Sequence, residues 1–482
     1  MCRNNCEKHQ TTRYFLLERL NGGVQMNQEV QIIFKAKDKN VDQFVQESSG
    51  DFATVIVDGS LQVVVKEVKE EKQSLDKVRM LAGAIARDLT KRKVKKAKVS
   101  KAELNHAFFT LDDRKIIVAF VEGWHLGAYR FDTYKKKKEA EPTELVFQGG
   151  LDPKAVTVGK VRAEAVAYAR DLMNELPSSL NPETFPKKLQ EAFAGTDVDV
   201  IVHDKAALED MEMNGILAVN RGSKYDPAMI ELHYEGNPAK PKIVLVGKGV
   251  TFDTGGISLK RARDLSDMRM DMGGAAAVAG AMKLLAQSKA DVNVIGLIQT
   301  VENIPDRHSI LPGDVIEYKN GHSVQVGNTD AEGRLILADG LIRAGELNAK
   351  YVVDIATLTG AIVNALGPKL GGIFGDEELM LEMKKIGDEN GDFVWPMPLV
   401  DEYESTLSSD YADFSNISNQ NSAGAITAAL FLRKFVPKNS RWIHVDMAGT
   451  MDTKTKGYYH QAATGFGARL LADYAVHVSD KY

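Results

Sequence analysis

After Pro241 the chain repeats one pattern: a continuous apolar run, a turn-rich loop, then a helical stretch. Ile243–Val246 reads as a strand buried on both faces, Gly273–Ala286 as an Ala-rich helix, and Val292–Thr300 as a second buried strand. Val315–Tyr318 and Ser323–Val326 flank Asn320-Gly321, the dipeptide a tight hairpin turn favours. Leu335–Leu347 reads as helix, Val352–Ala356 as strand, Ala361–Leu366 and Ala423–Phe435 as helices, and Trp442–Val445 as a last strand. Strands without a polar face must be covered on both sides. The pattern therefore predicts a doubly wound, mostly parallel α/β sheet flanked by helices. Ligands of such sheets sit beyond the carboxyl ends of the strands.

A chain of 482 residues is long enough for two or three cores. Between Val30 and about Glu144 the pattern is of another kind. Strand-like runs (Gln31–Lys35, Phe52–Val57, Gln62–Val65, Ala107–Leu111, Lys115–Phe120) surround one helical stretch, Ser74–Thr90. This predicts a smaller α/β domain over 26–155. Charged, Pro-containing residues around Lys135–Pro142 mark its end, and residues 156–176 read as a long connecting helix into a second domain, 177–482. Asn181 is placed to cap the next helix, with Pro182 in its first turn. Residues 1–25 lack any pattern that could bury a face and are expected to be a disordered extension, with Met26 as the native start.

Composition excludes several classes. The net charge of −5 gives no global attraction to nucleic acid or anionic membrane. Two basic runs, Lys91–Lys101 and Lys135–Lys138, have no interleaved aromatics and read as solvated faces. Cys2 and Cys6 both lie at the extreme N-terminus, so no disulfide framework can staple the body, which fits a reducing compartment. No second Cys/His pair lies near them to complete a zinc site. No apolar run approaches the roughly 18 residues of a membrane span. Phe15-Leu16-Leu17 is too short for a signal-peptide core. A cytoplasmic protein is expected.

The chemistry concentrates in Asn328-Thr329-Asp330-Ala331-Glu332-Gly333-Arg334-Leu335. Acids at i and i+2 converge on one point only where the backbone bends or a helix begins. A helix start also offers free N–H groups to anions. Alone, the octet has a plain structural reading: Asp330 as N-cap, Glu332 as a first-turn acid, Arg334 as a surface ion pair. Other acids join it at the same sheet edge. Lys248 follows the strand Ile243–Val246, Asp253 and Lys260 lie in the Gly-rich loop beyond, and Asp271 stands just before the Ala-rich helix. Asp253, Asp271, Asp330 and Glu332 would repel one another without intervening cations. Carboxylates without nearby Cys or His suit hard or borderline divalent metals such as manganese, magnesium or zinc. Lys248 has two readings, as counter-ion or as a ligand once neutral. Lys260 could equally be a solvated loop residue. Gly247–Gly256 fails as a phosphate cradle, since no Gly-Lys-Ser/Thr opens a helix and Phe252 stands where a third glycine belongs.

Val246–Gly256 and Asn328–Leu335 resemble the two signature stretches of the leucine (cytosol) aminopeptidases, and Met270–Ala276 resembles their third metal-binding segment. The likeness runs from about Arg170 to the C-terminus and includes Ala356–Gly360 and Asp446–Gly449; Gly273, often alanine in relatives, is a small departure. The resemblance implies a catalytic dinuclear-metal aminopeptidase domain over 177–482, which uses a metal-activated water to release N-terminal residues. It would hold two divalent ions per subunit, manganese or zinc, with magnesium as a third option. One ion would sit on Asp253, Asp330 and Glu332, the other on Lys248, Asp253, Asp271 and Glu332. Lys260 would stabilise the oxyanion and Arg334 would hold a bicarbonate that shuttles the proton. Met268, Thr357, Gly360, Ala448 and Met451 would line the pocket for the N-terminal side chain; adaptable methionines favour leucine and other apolar residues. The expected partners are peptides with a free N-terminus and further copies in a homohexamer, with neither membrane nor nucleic acid. Some relatives bind DNA, so the alternative is a DNA-binding regulator that uses the N-terminal domain.

Overall fold

The computed structural model describes residues 29–482 apart from 37, 58, 137–139, 151, 262, 263, 454, 455, 460 and 461. The expected disordered extension 1–25, the start at Met26 and the cysteines Cys2 and Cys6 lie outside the described residues, as do two of the lysines in Lys135–Lys138. The chain divides into two units, Met1–Gly159 and Lys160–Tyr482.

In the first unit β1 (Glu29–Ile33), α1 (Lys39–Glu47), β2 (Phe52–Val57) and β3 (Ser60–Val65) precede α2 (Leu75–Lys91) and β4 (Lys96–Ser100). Then come α3 (Lys101–Ala107), α4 (Asp113–Ala128) and β5 (Glu144–Gln148). The sheet order is β2-β3-β1-β4-β5, antiparallel only between β2 and β3. Ser74 caps α2 by accepting the Lys77 N–H, and Val78, Leu81, Ala82, Ile85, Ala86 and Leu89 are buried along one face. Two expected strands are corrected. Ala107 ends α3, and Lys115–Phe120 lies inside α4. The β-branched run there reads as strand by propensity, but Asp112 caps a helix by accepting the Lys115 N–H. Gly123 and Gly127, one turn apart, let α4 lie on α2: a Cβ would stand 2.3 and 2.2 Å from the carbonyl oxygens of Arg79 and Gly83. A buried ion pair, Arg79–Glu122 at 2.8 Å, joins the same two helices. The basic run Lys91–Lys101 is spread over the end of α2, a turn, β4 and the first residue of α3, with Lys96 paired to Glu144 and Lys98 to Glu29.

The division between the units falls inside α5 (Pro153–Asn174). The second unit continues with α6 (Thr184–Phe193), β6 (Val198–His203), α7 (Lys205–Asp210), α8 (Asn214–Val219), β7 (Ala228–Glu235) and β8 (Lys242–Asp253). Next are α9 (Gly273–Gln287), β9 (Asn293–Asn303), β10 (Val315–Glu317), β11 (Ser323–Gln325), α10 (Glu332–Glu346) and β12 (Tyr351–Ala356). They are followed by α11 (Gly360–Leu366), β13 (Gly371–Gly375), α12 (Glu377–Asn390), β14 (Val394–Pro396) and β15 (Phe414–Ser415). The chain ends with α13 (Gly424–Arg433), β16 (Arg441–Asp446), the short strands β17 (Asp452–Thr453) and β18 (Ala462–Ala463), and α14 (Ala468–Lys481). Asn181 accepts the N–H groups of Glu183 and Thr184 ahead of α6, but the helix starts at Thr184 with Glu183 as its N-cap, so Pro182 precedes it rather than standing in its first turn.

Eight strands form one sheet in the order β14-β13-β16-β12-β8-β9-β7-β6. Its centre, β16-β12-β8-β9, is parallel; β13 on one side and β7 and β6 on the other run antiparallel to their inner neighbours. The strand order reverses at β8, which has β9 on one side and the later β12 on the other. That is the switch point where such sheets open a crevice.

One correction bears on the site. The expected Gly-rich loop after Val246 is strand as far as Asp253. Gly247 and Gly249 make close approaches rather than a loop: a Cβ would stand 2.7 Å from the Gly274 carbonyl oxygen and 2.3 Å from that of Gln299. A bulge between Val250 and Phe252 shifts the register against β9. It inverts the in/out alternation, so Lys248 and Asp253, five apart, turn the same way. Among the described residues no helix is long and apolar enough to cross a membrane.

Candidate metal centre

Three segments deliver the acids and the lysine among them. β8 brings Lys248 and Asp253, the turn before α9 brings Asp271, and the octet brings Asp330 and Glu332 at the start of α10. The plain reading of the octet fails at each residue it named. The α10 N-cap is Ala331, without a side-chain cap bond, and Asp330 instead donates its N–H to Asn328 Oδ1. Glu332 is buried rather than a solvated first-turn acid. Arg334, also buried, donates from Nη1 to the Asn416 carbonyl at 2.7 Å.

Carboxylate oxygens of Asp253, Asp330 and Glu332 lie within 4.8 Å of one another. Lys248 Nζ stands 2.9 Å from Asp271 Oδ2 and 2.8 Å from Glu332 Oε1, and donates to the Thr357 carbonyl at 3.0 Å. Lys260 Nζ reaches Asp253 Oδ2 at 2.8 Å and also pairs with Asp330. Thus Lys248, Asp253, Lys260, Asp271, Asp330 and Glu332 are brought together. Lys260, expected to face a substrate carbonyl, is paired with two of the acids.

The crowding shows in the protonation equilibria. Burial, then the Asp253 charge, raises Glu332 to about 8; burial raises Asp271 to about 6 against the pull of Lys248. Burial and Asp253 also raise Asp330. Burial opposes the charge of Lys248, yet Asp271, Glu332 and Asp253 hold its pKa above the ordinary lysine value, and Asp253 does the same for Lys260. Burial lowers Arg334 to about 10, so it stays charged at neutral pH. Two lysines only partly offset this set of acids, and Glu332 Oε2 is buried without a hydrogen-bond partner. An all-oxygen donor set with an orphaned buried carboxylate oxygen fits hard or borderline divalent cations.

Of the pocket candidates, Met268 lies in a single helical turn (Ser266–Met270), Gly360 begins α11, and Thr357, Ala448 and Met451 lie on loops. Met268 accepts the Asp271 N–H through its carbonyl at 3.3 Å. Thr357 donates its hydroxyl to Asp271 Oδ1 at 2.7 Å, so it touches an acid as well as any pocket. Gly360 opens α11 and faces free space, since a Cβ there would meet nothing within 4 Å. Ala448 and Met451 are half-buried on the loop after β16. Asp446 ties the two loops together, accepting from the N–H groups of Leu358, Thr359 and Ala448 and from the Thr359 hydroxyl at 2.6 Å.

Sequence reasoning missed the residues that grip these turns. Asn303 donates to both Asp253 Oδ1 (2.9 Å) and the Thr329 carbonyl (3.0 Å). Thr329 bonds the Gly255 carbonyl (2.6 Å) and the Ser258 N–H (2.8 Å). Asn416 holds the octet through Gly327, Asn328 and Ala331. Their one sequence signal is position: Asn303 ends a continuous apolar strand at the sheet edge where ligands bind.

Residues 167–472 match the catalytic domain of the cytosol aminopeptidase family, and residues 69–138 match its N-terminal domain. A probable cytosol aminopeptidase of Persephonella marina is 38% identical over 423 residues, which is 86% of this chain and 85% of the relative. That of Aquifex aeolicus is 42% identical over 376 residues, 76% of this chain and 75% of its own. Among solved structures, the bottromycin maturation enzyme BotP superposes with a TM-score of 0.84 at 31% identity, over 94% of this chain and 99% of its own. The same enzyme in complex with Mn gives 0.85 at 30% identity, with the same coverage. The comparisons lend no support to a DNA-binding regulator.

Proposed function

The chain belongs to the cytosol aminopeptidase family and is a metal-dependent aminopeptidase, and from that premise we propose that Lys248, Asp253, Asp271, Asp330 and Glu332 hold two divalent ions per subunit. The observation that carries the proposal is the packing of three carboxylates, one from the end of β8 and two from the start of α10, within 4.8 Å, with the buried Glu332 Oε2 unpartnered. Manganese is the first ion to test, because a structural neighbour is described with it; zinc and magnesium have the same oxygen chemistry available. Bound there, such ions supply Lewis acidity and an acidified water.

The chain's own residues do the rest. Asp253 and Glu332 would be shared between the two ions, whose charge would offset theirs. Lys248 would serve as a ligand only as the neutral amine, its proton passing to solvent; Asp271 and Glu332 hold that proton in the ion-free site, and neighbouring cations would favour its loss. Lys260 would keep its proton and, with its paired acids engaged by the ions, would stabilise an oxyanion on the scissile carbonyl. Arg334 holds a bicarbonate: it is charged, it stands at the start of α10, and its Nε has no partner. Met268, Thr357, Gly360, Ala448 and Met451 line the pocket for the N-terminal side chain, preferring leucine and other apolar residues. We assign catalysis to residues 177–482 and the N-terminal domain to 26–155. The same reading makes the active form a homohexamer, and the relatives' name, cytosol aminopeptidase, supports a cytoplasmic location.

The test is metal analysis joined to hydrolysis of a chromogenic leucyl amide. Chelation should abolish release of leucine, and manganese or zinc should restore it as the ion content rises. Full turnover by chain shown to hold no divalent ion refutes the proposal.

A further inference from the structure

If Asp253 is shared between two ions, as the proposed function holds, its carboxylate must be aimed before they arrive. It ends β8 beyond a bulge, where the backbone alone does not fix the side chain. Its two oxygens are treated differently. Oδ1 accepts two neutral donors, the Gly255 N–H at 2.8 Å and the Asn303 amide at 2.9 Å, while Oδ2 faces Lys260.

Asn303 is 2% exposed and has little freedom. Both oxygens near its amide nitrogen are acceptors, so turning the amide over would set oxygen against oxygen. The remaining amide proton goes to the Thr329 carbonyl at 3.0 Å, one residue before Asp330. Its backbone carbonyl accepts the Thr254 N–H at 3.0 Å and the Thr254 hydroxyl at 2.8 Å. One residue thus grips the Asp253 side chain, the residue that follows it and the turn that carries Asp330. A neutral amide can do this without placing a positive charge where cations must bind, as a lysine would.

We infer that Asn303 is a positioning residue of the metal centre, presetting the Asp253 carboxylate and locking it to the turn of Asp330. It touches neither ion nor substrate. Partners of this kind typically govern metal affinity about tenfold to a hundredfold.

The test compares Mn²⁺ affinity, by calorimetric titration of the full chain, among wild type, Asn303→Leu and Asn303→Ala. Leucine keeps the branched shape and removes both donors. Folded variants should bind Mn²⁺ about tenfold to a hundredfold more weakly than wild type. Asn303→Leu with wild-type affinity overturns the inference alone, and a wild-type chain that takes up no divalent ion overturns the metal reading with it. Should the variants not fold, a crystal structure of Mn²⁺-loaded wild type decides. The Asn303 amide still bonded to Asp253 and Thr329 supports the inference, and an amide turned away from both overturns it.

Discussion

Thr357 is assigned to the pocket wall, yet its hydroxyl is 2.7 Å from Asp271 Oδ1 in a buried setting. The two roles separate in Thr357→Val, which keeps the wall's shape and deletes the donor. A hydrogen bond to a charged group contributes about 1.5–3 kcal/mol, and its loss leaves Asp271 Oδ1 buried and unsatisfied. Every 1.4 kcal/mol is about tenfold in an equilibrium. Affinity for the ion on Asp271 should therefore fall between roughly tenfold and a hundredfold. Thr357→Ser, which keeps the hydroxyl, should stay near wild type. The assay is Mn²⁺ titration followed calorimetrically, with leucyl-amide kinetics at saturating metal. If the residue acts through Asp271, metal affinity drops while KM at full loading changes little. Unchanged affinity in Thr357→Val, with or without a change in KM, refutes the reasoning.

Asp330→Asn should lower bound metal and turnover together; unchanged metal stoichiometry would remove Asp330 from the ligand set. Lys260→Ala should cut kcat by on the order of a hundredfold or more while metal content holds, and near-normal rates would exclude Lys260 from the chemistry. A further prediction concerns acid stability. Burial opposes the charge of Glu231, but hydrogen bonds from His203 (3.0 Å), His233 (2.7 Å) and Arg343 (2.8 Å) hold its pKa below the ordinary glutamate value. A depressed folded pKa stabilises above the unfolded value and is lost as pH falls, at about 1.4 kcal/mol per unit of depression. Urea unfolding from pH 5 downward should show that loss in wild type and a flatter limb in Glu231→Gln. Equal acid sensitivity in the two proteins contradicts it.

The sheet was legible where burial on both faces leaves a dense apolar run, as in β8 and β9, and in β12 and β16 despite the buried Asp354 and His444 that pair between them. It was illegible where glycine thins the signal. β13 has glycine at positions 371, 372 and 375, and the Gly372 site has an Ile362 methyl 2.4 Å from where a Cβ would stand. α12 went unread although its start is conventional, with Asp376 capping the Leu379 N–H and two glutamates in the first turn. In α4, β-branched residues outvoted the glycines whose four-residue spacing marks a helix–helix contact.

The site was legible in its charges and illegible in its joints. Acids betray themselves because burying them together is unfavourable without cations, so their positions carry information even in one dimension. Asn303 and Asn416 bear no charge, and their partners lie 50 and 89 residues away in Asp253 and Gly327. The bulge in β8 is a joint of the same kind. In a regular strand Lys248 and Asp253 would face opposite sides of the sheet, one toward each helical layer. One extra residue near Thr251 turns both toward Glu332, and it leaves no mark in the hydrophobic pattern. Motif spacing thus records the outcome of this bend, and the bulge in β8 is its cause. Removing the bulge residue should therefore separate Lys248 from Asp253 across the sheet, even though every ligand named for the ions would still be present in the sequence.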